Sequence, residues 1–223
     1  MDKTSYTNLA KAWEYAEETA VSRQSEALAA ARQQAEEDGF PQGPAAQAEL
    51  LHTLVKLTGA TSVIAVGTGS VVETLQLING LDNAGQLTAV DSSAQGIVLI
   101  RSLFGKLADT TQTRLRAVNA PAGTFLPRLN GEDYDLIVVA GDADNYADTF
   151  AQASRLLKGH GAIVFTDVFA LEAPEANSGI LNPANRNGKA VAMRELIETV
   201  EADERFDATL TPTGTGLLLA VKR

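Results

Sequence analysis

Ser62-Val63-Ile64-Ala65-Val66-Gly67-Thr68-Gly69-Ser70 is the stretch on which the reading of this chain turns. Residues 62–66 form a short apolar run without polar alternation, the pattern of a parallel strand buried on both faces. Two glycines close it, and residues 71–78 follow with helical periodicity. Glycine at such a turn lets the backbone approach a ligand, and the free amides at the start of the next helix favour a negative group. Working outward, residues 87–90, 136–139 and 162–165 repeat the strand signal, and residues 114–118 give a weaker version of it. Helical stretches at 94–108, 121–129 and 145–157 lie between them. Strand and helix in alternation imply βαβ units and a parallel sheet covered on both faces.

The two flanks of this pattern differ from it. Residues 205–211 and 217–221 read as strands joined by Pro212-Thr213-Gly214-Thr215-Gly216, a connection short enough to require an antiparallel hairpin. Before them, Met193, Leu196, Ile197 and Val200 mark an amphipathic helix, and residues 171–187, with two prolines and four asparagines, read as a long loop. At the other end, residues 8–38 contain no glycine or proline and are rich in alanine and glutamate, so they are helical. Leu9, Trp13, Ala16 and Ala20 form a stripe along them, which fits packing on the main domain or a second subunit, or a lid over a site. The predicted fold class is α/β: a Rossmann-like, doubly wound, seven-stranded sheet, mostly parallel, with a C-terminal antiparallel hairpin. The expected organisation is one domain, residues 1–223, made of a helical extension (1–43) and a core (44–223).

Composition narrows the function. The 223 residues are 45% hydrophobic and 21% charged, an ordinary globular balance. No apolar run is long enough for a membrane span. The opening Met1-Asp2-Lys3-Thr4 leads into polar, acidic sequence, so a secretory route is not expected and a cytoplasmic location is. The absence of cysteine excludes thiol catalysis and cysteine metal sites, and two histidines, His52 and His160, cannot make a multi-histidine site. A net charge of −10 argues against a nucleic-acid partner, since that binding is largely phosphate neutralisation.

One strand after the glycine turn, Val90-Asp91 places a carboxylate at the next strand end. Its distance from Gly67 is close to the spacing of about 20 residues at which an acid accepts hydrogen bonds from ribose hydroxyls. The pair points to an adenosine-containing cofactor. A nicotinamide fold prefers G-x-G-x-x-G, whereas Val72 follows Gly67 and Gly69 here; with the final hairpin, S-adenosyl-L-methionine fits better.

Several segments together resemble the catechol O-methyltransferase-like family, methyltransferase family 3. They are Lys56-Leu57-Thr58-Gly59-Ala60 leading to Val66-Gly67-Thr68-Gly69, then Gly85-Gln86-Leu87-Thr88-Ala89-Val90-Asp91, Phe125-Leu126-Pro127-Arg128-Leu129, Tyr134-Asp135-Leu136-Ile137-Val138-Val139 and Leu156-Leu157-Lys158. The ending, Asp203-Glu204-Arg205-Phe206 and then Pro212 to Leu217, is similar to the closing hairpin of small actinobacterial members. The resemblance covers about residues 42–223. It implies a homodimeric S-adenosylmethionine-dependent O-methyltransferase acting on a small hydroxylated acceptor. It assigns the methionine part of the cofactor to Gly67, Thr68 and Gly69, the ribose to Asp91 with Ser92 beside the adenine, and the adenine wall to Ala120, Pro121 and Ala122.

The resemblance also exposes departures. Many members hold a divalent metal through an aspartate that here becomes Ala140, itself a candidate cofactor contact, and an Asp-Asn pair that becomes Thr166-Asp167. No metal is therefore expected to be obligatory, although Asp142, Asp144 and Asp167 could rebuild a site if shifted. The alternative for Asp142 and Asp144 is capping of the helix near Asn145. Without metal the acceptor proton needs a base, and the candidates are Asp142, Asp144 and Asp167, Asp142 and Asp167 being the choice; His160 comes after them. Tyr146 either lines the acceptor pocket or packs the helix, and the 171–187 loop is expected to cover the acceptor. Ala65 and Val71 replace a usual glutamate and glycine, and Glu73 is placed to repel the cofactor carboxylate, which predicts weakened affinity. These losses leave a non-catalytic scaffold as an alternative; the resemblance also leaves an RNA-modifying enzyme, against which the charge of −10 counts.

Overall fold

Val63, Ala65, Leu87, Ala89, Leu136 and Val138 point to one side of the sheet, and Ile64, Val66, Val90, Ile137 and Val139 to the other, so each strand buries both faces. That demands a helical layer on each side. The computed structural model describes residues 3–67, 69–172 and 177–223. In chain order the elements are α1 (Lys3–Ser22), α2 (Glu26–Glu37), α3 (Ala45–Thr58), β1 (Ser62–Val66), α4 (Val71–Gly80), β2 (Gln86–Asp91), α5 (Ala94–Leu107), β3 (Arg114–Asn119), α6 (Ala122–Phe125), β4 (Tyr134–Val139), α7 (Ala143–Leu156), β5 (Leu157–Phe165), α8 (Gly188–Glu201), β6 (Phe206–Thr211) and β7 (Leu217–Lys222). The sheet order is β3-β2-β1-β4-β5-β7-β6. Strands β1 to β5 pair in parallel, and β7 lies antiparallel to both β5 and β6. The doubly wound sheet and its closing hairpin are therefore as predicted.

From β1 the chain winds outward through β2 and β3, then returns to place β4 on the other flank of β1. That reversal opens a crevice at the carboxyl ends of β1 and β4, where open α/β sheets bind their ligands.

The N-terminal segment departs from an uninterrupted helix. It breaks at Arg23-Gln24-Ser25, with neither glycine nor proline, because the Ser25 hydroxyl accepts the Leu28 N–H at 3.3 Å and starts α2. α1 lies along α3, whose first residue follows Pro44. Proline has no side-chain acceptor, so the Glu17 carboxylate of α1 takes the Ala45 and Ala46 amides at 2.5 and 2.9 Å. The predicted stripe is only partly used: Ala20 is buried, while Trp13 is 53% exposed and Leu9 37%. Strand β5 also begins earlier than expected, running directly out of α7 at Leu157 through His160, which is exposed, adopts φ +64° and lies at the end of the sheet away from the crevice.

Candidate functional site

Gly67 is required by its geometry. Its φ is +83°, and a Cβ there would run into the Ala140 carbonyl at the end of β4. The same carbonyl accepts Asn145 Nδ2 at 3.1 Å, which pins the turn between β4 and α7 against the glycine turn. Gly69 is held from the far side by Gln42. The Gln42 Nε2 donates to Gly69 O at 2.7 Å, and its Oε1 accepts the Val72 N–H of α4 at 3.0 Å. The linker after α2 is thus a structural part of the glycine turn. We predict that Gln42→Ala weakens S-adenosylhomocysteine binding about 5- to 30-fold, from the loss of roughly 1–2 kcal/mol in two hydrogen bonds; equilibrium titration checks it.

Beside this turn, Asp91 closes β2. It is buried, and its Oδ1 accepts the Ser93 N–H at 2.8 Å, which fixes the carboxylate's direction. Gly67, Gly69, Asp91, Ala140 and Asp142 all line one cavity of about 280 Å³, together with Ser70, Ser93, Gly141 and Asn145. Phe40, Pro41 and Gly43 of the linker and Glu172 complete the wall. A second cavity of about 330 Å³ shares Pro41, Gly43 and Glu172 with the first and runs toward Arg32 and Thr215. A larger one, about 710 Å³, lies beyond Phe40 among α2, α4 and α5. No glycine turn or strand-end carboxylate lines it, so the chemistry belongs to the smaller pair.

Ser92, Ala120, Pro121 and Ala122, also predicted to contact the cofactor, do not line that cavity. Ser92 is exposed, and Ser93, which caps α5 by accepting the Gly96 N–H at 3.0 Å, takes the lining position instead. Ala120 N–H bonds Asp91 O at 2.9 Å, which brings the segment alongside, but Pro121 is exposed and Ala122 packs in the core. Thr68 lies outside the described residues, as do residues 173–176 of the expected acceptor loop.

At the ends of β4 and β5 the side chains form a connected set. Asp167 is buried at φ +49°, and its Oδ1 accepts the Leu171 and Glu172 amides at 2.8 and 3.3 Å. Its Oδ2 lies 3.7 Å from Lys189 Nζ. Lys189 comes from the first turn of α8 and donates to Gly141 O at 2.5 Å and to Tyr146 Oη at 2.9 Å. Tyr146 is fully buried, stacks on Phe165 and donates its own proton to Thr166 O at 2.9 Å, so it packs the helix rather than lining the cavity. Asp142 sits at the N-cap position of α7 without a side-chain cap bond, so the capping alternative is realised in place but not in contact. His52 is half-buried on α3, away from this set.

Burial raises the Asp167 carboxyl, opposed by Lys189 and the two amides. Burial lowers Lys189, opposed by Asp167, Glu172 and Asp142. Glu172 is pushed up to about 7 by desolvation and then by the Asp167 and Glu73 carboxylates. Its outer surface is solvent-exposed, which screens part of that repulsion. Glu73 is different from its expected role. Its carboxylate is buried, takes 2.6 Å hydrogen bonds from Gln47 and Ser70, and does not line the cavity; burial raises its pKa toward the neutral form.

The donor set does not suit a divalent cation. A hard cation needs several converging oxygens including carboxylates, yet Ala140 and Thr166 supply no carboxylate and an ammonium faces Asp167. Among the described residues no three acidic or histidine side chains converge. Lys189, Glu172, Gln42 and Phe40 are the participants that sequence reasoning missed.

A family model described as O-methyltransferase matches residues 17–223. A Mycobacterium avium protein named "Putative O-methyltransferase" is 34% identical over 87% of this chain and 85% of its own length. A Corynebacterium glutamicum protein of known structure superposes with a TM-score of 0.79 at 25% identity, covering 95% of this chain and 97% of that one. A Bacillus cereus O-methyltransferase solved with SAH shares the fold at a TM-score of 0.75 and 19% identity, covering 90% of this chain and 92% of that one.

Proposed function

The chain belongs to the O-methyltransferase family and is an S-adenosylmethionine-dependent O-methyltransferase, and from that premise we propose that it methylates a hydroxyl of a small acceptor without an obligatory metal. The observation that carries the reading is the meeting of the Gly67 turn, Asp91 and the Ala140 turn around one cavity at the crevice of the sheet. S-adenosylmethionine supplies an electrophilic methyl group when bound. Gly67 and Gly69 provide the close backbone approach, and Asp91 accepts the ribose hydroxyls. Thr68, Ser92, Ala120, Pro121 and Ala122 stay in this proposal as surroundings of the Asp91 and glycine turns. The acceptor enters through the adjoining cavity past Arg32 and Thr215. Its hydroxyl must lose a proton as it becomes a nucleophile. Asp142 and Glu172 line the cavity and are placed to take it, whereas Asp167 is not on its wall, its Oδ1 is taken by the Leu171 and Glu172 amides, and its Oδ2 faces Lys189 Nζ at 3.7 Å. The test is transfer of labelled methyl from S-adenosylmethionine to a panel of phenols and alcohols, run with and without EDTA. Transfer that EDTA leaves unchanged supports the reading; transfer abolished by EDTA contradicts its metal-free part.

Glu172 carries a linked stability effect. Its folded pKa lies above its unfolded value, so the protonated form is favoured in the native state. That contribution is fully present below the unfolded pKa, near 4.5, and is lost as pH rises through about 7. The unfolding temperature of the ligand-free protein should therefore fall between pH 5 and 8, and fall less in Glu172→Gln; equal slopes in calorimetry would contradict the assignment.

Residues 1–43 and 44–223 are proposed to act as one unit, because Gln42 and Glu17 tie them together. The chain is proposed to be a cytoplasmic homodimer that uses small molecules and not nucleic acid. The exposed Leu9 and Trp13 face of α1 supports the dimer, and the charge of −10 supports the choice of partner. No described helix is long and apolar enough to cross a membrane. Sedimentation should give twice 23.5 kDa for the wild type and the single-chain mass for Trp13→Glu.

A further inference from the structure

We propose that the Lys189 ammonium is the resident cation of the acceptor site, standing where the family resemblance places a divalent metal. The inference rests on the methyltransferase reading above and deepens it. Four observations converge on the ammonium. It projects from α8 across the carboxyl ends of β4 and β5, the strand ends that carry the departed ligands Ala140 and Thr166. Two of its three donors are fixed, by Gly141 O at 2.5 Å and Tyr146 Oη at 2.9 Å. The third faces Asp167 Oδ2 at 3.7 Å, beyond direct hydrogen-bond range and open to an inserted oxygen. Lys189 also lies 4.3 Å from the centroid of the Tyr146 ring, whose face attracts a cation.

Charge explains why a cation must be there. Asp167 is buried and takes the Glu172 amide from the cavity wall, and Asp142 on the same wall acts electrostatically on Lys189. Buried carboxylate without a counter-charge is strongly disfavoured. A tightly held metal would need a carboxylate on β4 as well, and Ala140 removes that ligand, so the acids alone can hold a metal only weakly. A lysine is a compact charge on a flexible stem and needs no coordination shell. Reaching in from α8, it balances Asp167 and keeps one N–H for an acceptor oxygen that carries negative charge. In that arrangement Lys189 stabilises the ionised acceptor, and the proton leaves to a wall carboxylate or to water.

The experiment is a manganese titration, followed by electron paramagnetic resonance, of wild type, Lys189→Ala and Lys189→Met, each saturated with S-adenosylhomocysteine. Wild type is expected to take up no manganese below millimolar concentration. Lys189→Ala vacates the cation's space beside the acids, and its manganese affinity should rise at least tenfold. Lys189→Met keeps the volume, and its retained S-adenosylhomocysteine binding establishes that loss of the charge leaves the fold intact. Tight manganese binding by the wild type would overturn the proposal, because the metal would then be the cation. Failure of both variants to gain manganese would overturn it too, since no cation position would exist. If wild type binds no S-adenosylhomocysteine, the methyltransferase reading fails instead, and the manganese series without it still decides the role of Lys189.

Discussion

Asp91→Ala is expected to weaken S-adenosylhomocysteine binding about 100-fold, a loss of about 2.7 kcal/mol. The magnitude follows from removing a charged acceptor: hydrogen bonds to an ionised group are worth about 1.5–3 kcal/mol. Asp91 is well suited to such a role because its Oδ1 is already held by the Ser93 amide at 2.8 Å, which orients the carboxylate before any ligand arrives. Gly96 keeps the space beside its Oδ2 open, since a Cβ there would sit 2.9 Å from that oxygen. Calorimetric titration of the variant checks the affinity. Asp91→Asn separates charge from shape: it retains an acceptor oxygen, so its loss should be smaller than that of alanine. Equal affinity in wild type and Asp91→Ala would remove the ribose assignment.

Gly67→Ala has the largest expected structural effect. The added methyl meets the Ala140 carbonyl, and the backbone must also hold φ +83° with a side chain present. Strain of this kind costs about 2–3 kcal/mol, which in a chain of this size lowers the unfolding temperature by roughly 5–10 °C. Relief by moving the β4–α7 turn would break the Asn145 bond to Ala140 O and widen the cavity, so cofactor binding should fall together with stability. Gly159, by contrast, has nothing near its Cβ position, and Gly159→Ala serves as the control. An unfolding scan decides; a Gly67→Ala protein as stable as wild type would contradict the account of the turn.

The centre of the sheet was legible in the sequence because β1, β2, β4 and the second half of β5 are buried on both faces and their apolar runs are nearly uninterrupted, whereas the exposed edge strand β3 gave a weaker signal. The glycine turn and Asp91 were legible for a related reason, since each lies directly after such a run. Other features depend on contacts no local pattern carries. The break before α2 needs only the Ser25 hydroxyl, and nothing in composition sets that serine apart from any other. Gly39-Phe40-Pro41-Gln42-Gly43-Pro44 reads as a helix stop, yet Gln42 reaches the glycine turn 27 residues away in sequence. Lys189 meets Gly141 across 48 residues, and only the docking of α8 brings the two together. Sequence places Glu73 at the turn but does not say that Gln47 and Ser70 hold it in the interior. Ser93 lines the cavity as the N-cap of α5, a position that sequence did not single out.

The departures from the family's metal ligands therefore need not mean lost function. The Ala140 carbonyl packs against Gly67, Thr166 O holds Tyr146, and Asp167 accepts the Leu171 and Glu172 amides. Each altered position keeps a part in building the same crevice.

The most direct measurement is calorimetric titration of the purified protein with S-adenosylhomocysteine, in magnesium and in EDTA. The account predicts micromolar binding with the same affinity in both, lost in Asp91→Ala. No binding in either condition, or binding that appears only with magnesium, would contradict a metal-independent methyltransferase.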